Sequence, residues 1–392
     1  MGLKRAVIPL FAKLLWPNDL GSEQYHQDLV VLGDHAYIDG GEIAVLVNGK
    51  NESTYDHPSW QLNDTLSIDL RKSWSSLDVE IKAIPKPAGI PVLDGQAMWR
   101  DRSSKAFYIW AGATPFNEEV QDSNIWRFAP DGGDKGDWTE ATISNHDNFK
   151  YLLQPKRGAF AQSDSVGYYF GGFATIRTDK SISDWKISRP FPGLVSYDMS
   201  GRQKVVNSSS EGFGKWGTFK GGSMEFVPFG PDGLLLVLGG AQAPLSENLE
   251  GRWKPMDFGK IFIYNPASMD MAPFLMLWSN MLSARKWHTQ QTTGTQPTPR
   301  EKFCTAGVAG QDNTYDIFIY GGSVWGEGIS EEVYVLTLPG FNFFKANTSI
   351  GSTPRECHAC AVVGKRQMLS VGGTSNPEAP ESLTEPDPWS LV

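Results

Sequence analysis

The chain has 392 residues, a net charge of −9 and only a fifth of its residues charged, with no dense stripe of Lys and Arg. Such a surface lacks the clustered cations that nucleic-acid phosphates or an anionic bilayer need, and no apolar run reaches the roughly 18 residues of a spanning helix. Three cysteines are too few for a disulfide-built scaffold, while 41 glycines, 14 tryptophans and many short apolar runs bounded by turn formers point to an all-β fold.

At the start of the chain Lys4-Arg5 precedes a mostly apolar stretch, Ala6–Trp16, that mimics a secretory leader. Pro9 and Lys13 interrupt it, no small-x-small site follows, and Ala6 stands where N-myristoylation needs Ser or Thr. From there an apolar strand ending in a Gly-Gly pair, or a near match, recurs six times: Ala36-Tyr-Ile-Asp-Gly-Gly41, Phe107-Tyr-Ile-Trp-Ala-Gly112, Gly167-Tyr-Tyr-Phe-Gly-Gly172, Leu235-Leu-Val-Leu-Gly-Gly240, Ile317-Phe-Ile-Tyr-Gly-Gly322 and Met368-Leu-Ser-Val-Gly-Gly373. A second strand is expected after five of them, at 66–70, 124–128, 194–198, 260–264 and 333–338, and a bulky aromatic then follows at Trp74, Trp138, Trp287 and Phe344. In three copies a Pro/Arg pair introduces the strand before the doublet: Pro155-Lys-Arg157, Pro299-Arg300 and Pro354-Arg355.

Repetition of this kind predicts four-stranded units that cannot bury both faces alone and so stack around an axis. Gly-Gly permits close backbone approach and positive φ at the crowded interior, and the trailing aromatic fills the wedge between units. The expected organisation is an N-terminal segment (1–26), a repeat domain (27–375) and a polar, Pro-rich tail (376–392).

Arg355-x-x-His358 followed by Ser-Val-Gly-Gly373, with the Gly-Gly/Tyr-Asp/Trp rhythm, resembles the kelch repeats of the galactose-oxidase-like propeller superfamily. Stretches such as Val31–Glu42 and Gly364–Gly373 are similar to kelch proteins of filamentous fungi. The resemblance implies a six-bladed kelch-type β-propeller. Such relatives usually carry a signal peptide, a complete last blade and often a downstream membrane segment. Here only two strands are recognisable in the sixth unit, so either Arg5–Leu15 completes the ring or the last blade stays open.

In kelch propellers the loop after Gly-Gly and the loop leading into the innermost strand open on one face. By that resemblance the insertions at 42–65, 113–123, 173–193, 241–259 and 323–331 share a face, and Arg157, Arg300, Arg355 and His358 point toward the axis. These four either contact a ligand or satisfy buried carbonyls. Glu42, Phe173 and Trp325, just after the doublets, rim the same pocket or pack its loops. Four sequons, at Asn51, Asn63, Asn207 and Asn347, favour export, against the poor leader, which leaves a cytoplasmic chain open.

Cys357-His-Ala-Cys360 is a single CxxC without a second pair, so no metal is expected. Cys304 and Cys360, nearly matched in neighbouring repeats, either pair as a disulfide in an exported chain or remain buried thiols. The acidic Asp131–Asp137 run lacks calcium-loop spacing and reads as a hairpin turn. No galactose-oxidase-type copper site, nitrile-specifier iron motif, sialidase Asp-box or hydrolase, phosphate-loop or dinucleotide motif occurs, so no cofactor is expected. Two functions remain: a monomeric module binding a protein, glycan or small molecule at the loop face, or a cofactor-independent isomerase or cyclase in a fungal secondary-metabolite pathway.

Overall fold

A computed structural model describes residues 22–25, 28–47, 50–51, 60–74, 78–115, 118–132, 135–214, 217–246, 252–266, 285–347, 353–364 and 367–375. Five four-stranded antiparallel meanders follow in chain order. Sheet 1 contains β1 (Asp28–Leu32), β2 (His35–Asp39), β3 (Asp64–Asp69) and β4 (Ile81–Pro85). Sheet 2 contains β5 (Ala97–Asp101), β6 (Ala106–Trp110), β7 (Trp126–Pro130) and β8 (Gly136–Glu140). Sheet 3 contains β9 (Ala159–Gln162), β10 (Val166–Phe170), β11 (Leu194–Asp198) and β12 (Val205–Ser208). Sheet 4 contains β13 (Ser223–Val227), β14 (Leu234–Leu238), β15 (Lys260–Tyr264) and β16 (Trp287–Gln291). Sheet 5 contains β17 (Cys304–Ala309), β18 (Tyr315–Tyr320), β19 (Val333–Leu338) and β20 (Asn342–Lys345), with Thr293–Gly294 added in parallel beside β20. Sheet 6 is the hairpin of β21 (Glu356–Val363) and β22 (Gln367–Thr374).

The second strands are mostly apolar because both faces are covered: every residue of β2 and β6 is buried, His35 and Asp39 of β2 included. The fourth strands β4 and β8 are mostly exposed or half-exposed. Side chains from adjacent sheets interlock. Trp99, Trp110, Tyr169 and Tyr197 fill the space between sheets 2 and 3, and Phe170, Phe213, Phe262 and Trp287 that between sheets 3 and 4. Further clusters lie between sheets 4 and 5, 5 and 6, and 1 and 2. The last one joins Leu369 and Val371 of β22 to Ile38 and Leu66 of sheet 1. The first strands follow the same circuit: β1 neighbours β5, then β9, β13, β17 and β21 in turn, and β21 neighbours β1. The chain is all-β, built of many small antiparallel sheets, and compatible with a β-propeller-like fold.

The doublets behave as close packing requires. Gly171 and Gly172 have φ of 72° and 84°; a Cβ on Gly171 would lie 2.5 Å from the Phe219 carbonyl oxygen, and one on Gly172 2.5 Å from that of Lys156. The first glycine thus faces the segment leading into the next sheet and the second the segment leading into its own.

The expected strands at 194–198, 260–264 and 333–338 match, while the one expected at 124–128 starts at Trp126 and runs to Pro130. Trp138 and Trp287 are buried between sheets as expected, but Phe344 is 52% exposed. Its neighbour Phe343, on the opposite face of β20, takes the interior place at 1%. Residues 5–15 and the tail 376–392 lie outside the described residues. Ser22–Tyr25 does approach β22, yet its ladder is with Glu42–Val47.

Candidate functional site

The loops after the doublets fold back on the segments that lead into the first strands. Ala241–Pro244 pairs with Gly217–Lys220, Ser323–Val324 with Arg300–Glu301, and single bridges join Ala113 to Asp94 and Phe173 to Lys156. This pairing puts Asp94, Lys156, Lys220, Glu301 and Glu356 at one equivalent position, all charged. The next residue in each case is left-handed: Gly95, Arg157, Gly221, Lys302 and Cys357 have φ of 63°, 59°, 68°, 60° and 57°. Three of the five are not glycine, which costs each roughly 1–2 kcal/mol. Hydrogen bonds between sheets hold them there: Gly221 N–H donates to Arg157 O (3.0 Å), Lys302 N–H to Gly221 O (2.6 Å) and Cys357 N–H to Lys302 O (2.9 Å). Side chains add Lys220–Glu301 (3.2 Å) and Lys302–Glu356 (3.0 Å).

This charged collar surrounds the mouth of a cavity of about 1460 Å³ that runs along the first strands. Beside it the rings of Phe173 and Trp253 lie 5.9 Å apart at 51°. Lys156 Nζ sits 5.8 Å from the Phe173 ring centre and Lys220 Nζ 5.0 Å from that of Trp253, within reach of cation–π attraction. Burial, reinforced by the Arg157 charge, pulls the Lys156 ammonium down to about 8, and burial also lowers Lys220. Glu42 accepts a hydrogen bond from Arg177 Nη2 at 2.7 Å, while Arg177 Nε donates to the Thr114 carbonyl.

Further inside, Glu225 on β13 faces the cavity and accepts a 2.5 Å hydrogen bond from Thr305 Oγ1, whose oxygen lies 2.6 Å from Ser223 Oγ. Burial raises the Glu225 carboxyl to about 7, against the Thr305 bond and the Arg100 charge. A carboxyl poised near neutral pH and backed by two hydroxyls can exchange a proton with a bound molecule. Asp28, at the start of β1, is also pushed well above the usual carboxylate range, by burial and by Asp39 and Asp94.

Of the residues singled out in the sequence, Arg157 lines the cavity mouth, Phe173 joins the aromatic pair, and Glu42 stands beside them through Arg177. Arg300 is fully buried and committed to the fold: it donates to Thr298 O, Gly321 O and Ser330 Oγ and pairs with Glu332 at 3.1 Å. Arg355, 1% exposed, donates to Gly372 O at 2.6 Å. Trp325 is 40% exposed, tied by its amide to Pro299 O. His358 lies in the cavity wall against Tyr320, held neutral by burial and the Arg355 charge, with its pKa near 3. Cys304 and Cys360 form a disulfide, and Cys357 is a buried thiol pushed up by burial to about 12. Asn63, Asn207 and Asn347 are exposed; the Asn51 side chain lies outside the described residues.

Sequence reasoning missed Lys156, Lys220, Trp253 and Glu225. Of these, Glu225 carried a signal in the sequence, an acid within the short strand Ser-Met-Glu-Phe-Val that precedes a doublet strand. Comparison with protein-family models and with curated proteins returns no match. Among the described residues no helix is long and apolar enough to cross a membrane.

Proposed function

We propose that this chain is a six-bladed kelch-type β-propeller that binds a small anionic ligand bearing a planar ring at the mouth of its central cavity. The propeller reading draws support from the circuit of six first strands and from the recurrence of a left-handed residue at one equivalent position in five of the units. The ligand class is carried by one observation: Phe173 and Trp253 lie side by side with a lysine over each ring, next to Arg157. Half-buried aromatic faces favour a flat apolar group, and Lys156 and Arg157, beside a Lys220 already paired with Glu301, favour a carboxylate or phosphate attached to it.

Calorimetric titration of the full chain with aromatic carboxylates and their saturated counterparts tests this. The aromatic anions bind saturably and the saturated ones more weakly, and Trp253→Ala removes most of the difference. Equal binding of both series, or none, rejects the reading.

A second reading rests on Glu225: the cavity is a reaction chamber for cofactor-independent proton transfer, as in an isomerase or cyclase. A strain lacking the chain then accumulates a small-molecule precursor, which wild-type protein clears and Glu225→Gln does not. Clearance by Glu225→Gln, or an unchanged metabolite profile, rejects it.

A further inference from the structure

Away from the aromatic pair, the first strands of sheets 5 and 6 bring three soft donors together. Cys304 comes from β17, and His358 and Cys360, two residues apart and so on one face, come from β21. Their donor atoms all lie within 4.8 Å of one another. The two sulfurs are joined as a disulfide across Cα atoms 5.5 Å apart. His358 is 7% exposed, and neither of its ring nitrogens has a hydrogen-bond partner of ordinary geometry. Apart from a contact to the Tyr320 backbone it gains no polar partner there, and burying an imidazole so sparsely bonded costs free energy. Ser370, opposite Cys360 in the β21–β22 ladder and 1% exposed, likewise has a hydroxyl without a partner. Cys304, His358 and Cys360 all border the cavity, so an ion can reach them.

We propose that, once the disulfide is reduced, Cys304, His358 and Cys360 bind a thiophilic d10 cation through two thiolates and one imidazole. A dithiol supplies the two electrons and two protons: it closes to its own disulfide while the Cys304–Cys360 bond opens to two thiols. The cation then displaces the two thiol protons to solvent. Two sulfurs and a nitrogen select soft ions over Mg²⁺ or Ca²⁺. Cu(I) is satisfied by the three donors, and Zn²⁺ needs a fourth, which water from the cavity supplies. Cys357 is excluded, since it sits at the collar beside Lys302 with a left-handed backbone. The site shares no side chain with the proposed ligand cluster and stands whether or not that reading holds.

The test uses the full chain reduced with a dithiol, freed of reductant without oxygen, and passed through gel filtration after exposure to Zn²⁺ in one arm and to Cu(I) in another. The reduced wild type is expected to retain about one equivalent of at least one ion, and the arms show which. The disulfide form retains neither. Cys357→Ser binds like the wild type, whereas His358→Gln and Cys304→Ser each lose roughly tenfold or more in affinity. Circular dichroism checks that each variant is folded; if one is not, the other carries the test. The proposal fails if the reduced wild type retains neither ion, folded or unfolded, if His358→Gln binds as tightly as the wild type, or if Cys357→Ser abolishes binding.

Discussion

Arg157 and Gly221 occupy the same place in successive sheets, and the Gly221 amide donates to the Arg157 carbonyl at 3.0 Å. Through such bonds the segments around the cavity mouth are joined to one another as well as to their own sheets. Local strain at Arg157, Lys302 and Cys357 persists because each backbone bonds across to a neighbouring sheet, Lys302 on both sides.

Close approach and backbone conformation can be separated at two glycines. Gly172 and Gly132 have similar φ, 84° and 87°, but an added Cβ meets the Lys156 carbonyl at 2.5 Å in the first case and nothing within 4 Å in the second. Gly132→Ala should cost about 1 kcal/mol. Gly172→Ala should cost roughly 2–4 kcal/mol, because the sheet must also shift. Urea unfolding of the two variants measures the difference, and equal losses would show that conformation alone matters.

Arg300 is bonded on every side within the fold. Its fully buried guanidinium serves two carbonyls, a hydroxyl and Glu332. Arg300→Ala should lower stability by roughly 3–5 kcal/mol, whereas Trp253→Ala should leave the unfolding free energy within about 1 kcal/mol of the wild type. A destabilised Trp253→Ala would mean that this ring belongs to the core.

Two carboxyls should give opposite pH signatures. Burial works against ionisation of Glu332, but hydrogen bonds from Lys345, Arg300 and Tyr334 prevail and hold it down to about 2. Its contribution is therefore full above its unfolded value of 4.5 and is lost as pH falls toward 2. Glu225 is raised from 4.5 to about 7, so its contribution is full below 4.5 and is lost as pH rises to 7. Glu332→Gln should thus erase the difference from wild type at low pH, while Glu225→Gln should gain on wild type between pH 4.5 and 7. Chemical denaturation across pH 2–8 reads both slopes.

Lys156 sets the pH range of the proposed ligand. With its ammonium drawn down to about 8, affinity for an aromatic carboxylate should fall as pH rises through that value. Lys156→Gln should bind more weakly at pH 7 and lose the inflection. An inflection that survives in this variant assigns it to another group.

The doublets were legible because close approach leaves room for glycine and, once, for Ala111, and β15 and β19 because apolar runs between turn formers have definite ends. The site was only partly legible. Phe173 and Arg157 sit next to repeat landmarks, whereas Trp253 lies in an insertion with no periodicity to locate it. Lys156 and Lys220 gain meaning only when the repeats are aligned on their left-handed residues, and that register depends on φ and not on residue type. Arg300 and Arg355 stood in the right place but face backbone carbonyls, a distinction that spacing does not carry. Phe344 was misplaced by one residue, and on a strand one residue reverses the side that faces inward.

The packing of β22 against sheet 1 joins residues 28–69 to residues 356–374 without any peptide link between them. Every other junction forms between chain neighbours, so this one carries the largest loop-closure entropy and is expected to form last. Unzipping from either terminus must first break it, and hydrogen exchange in β1 and β22 should report the lifetime of the whole assembly.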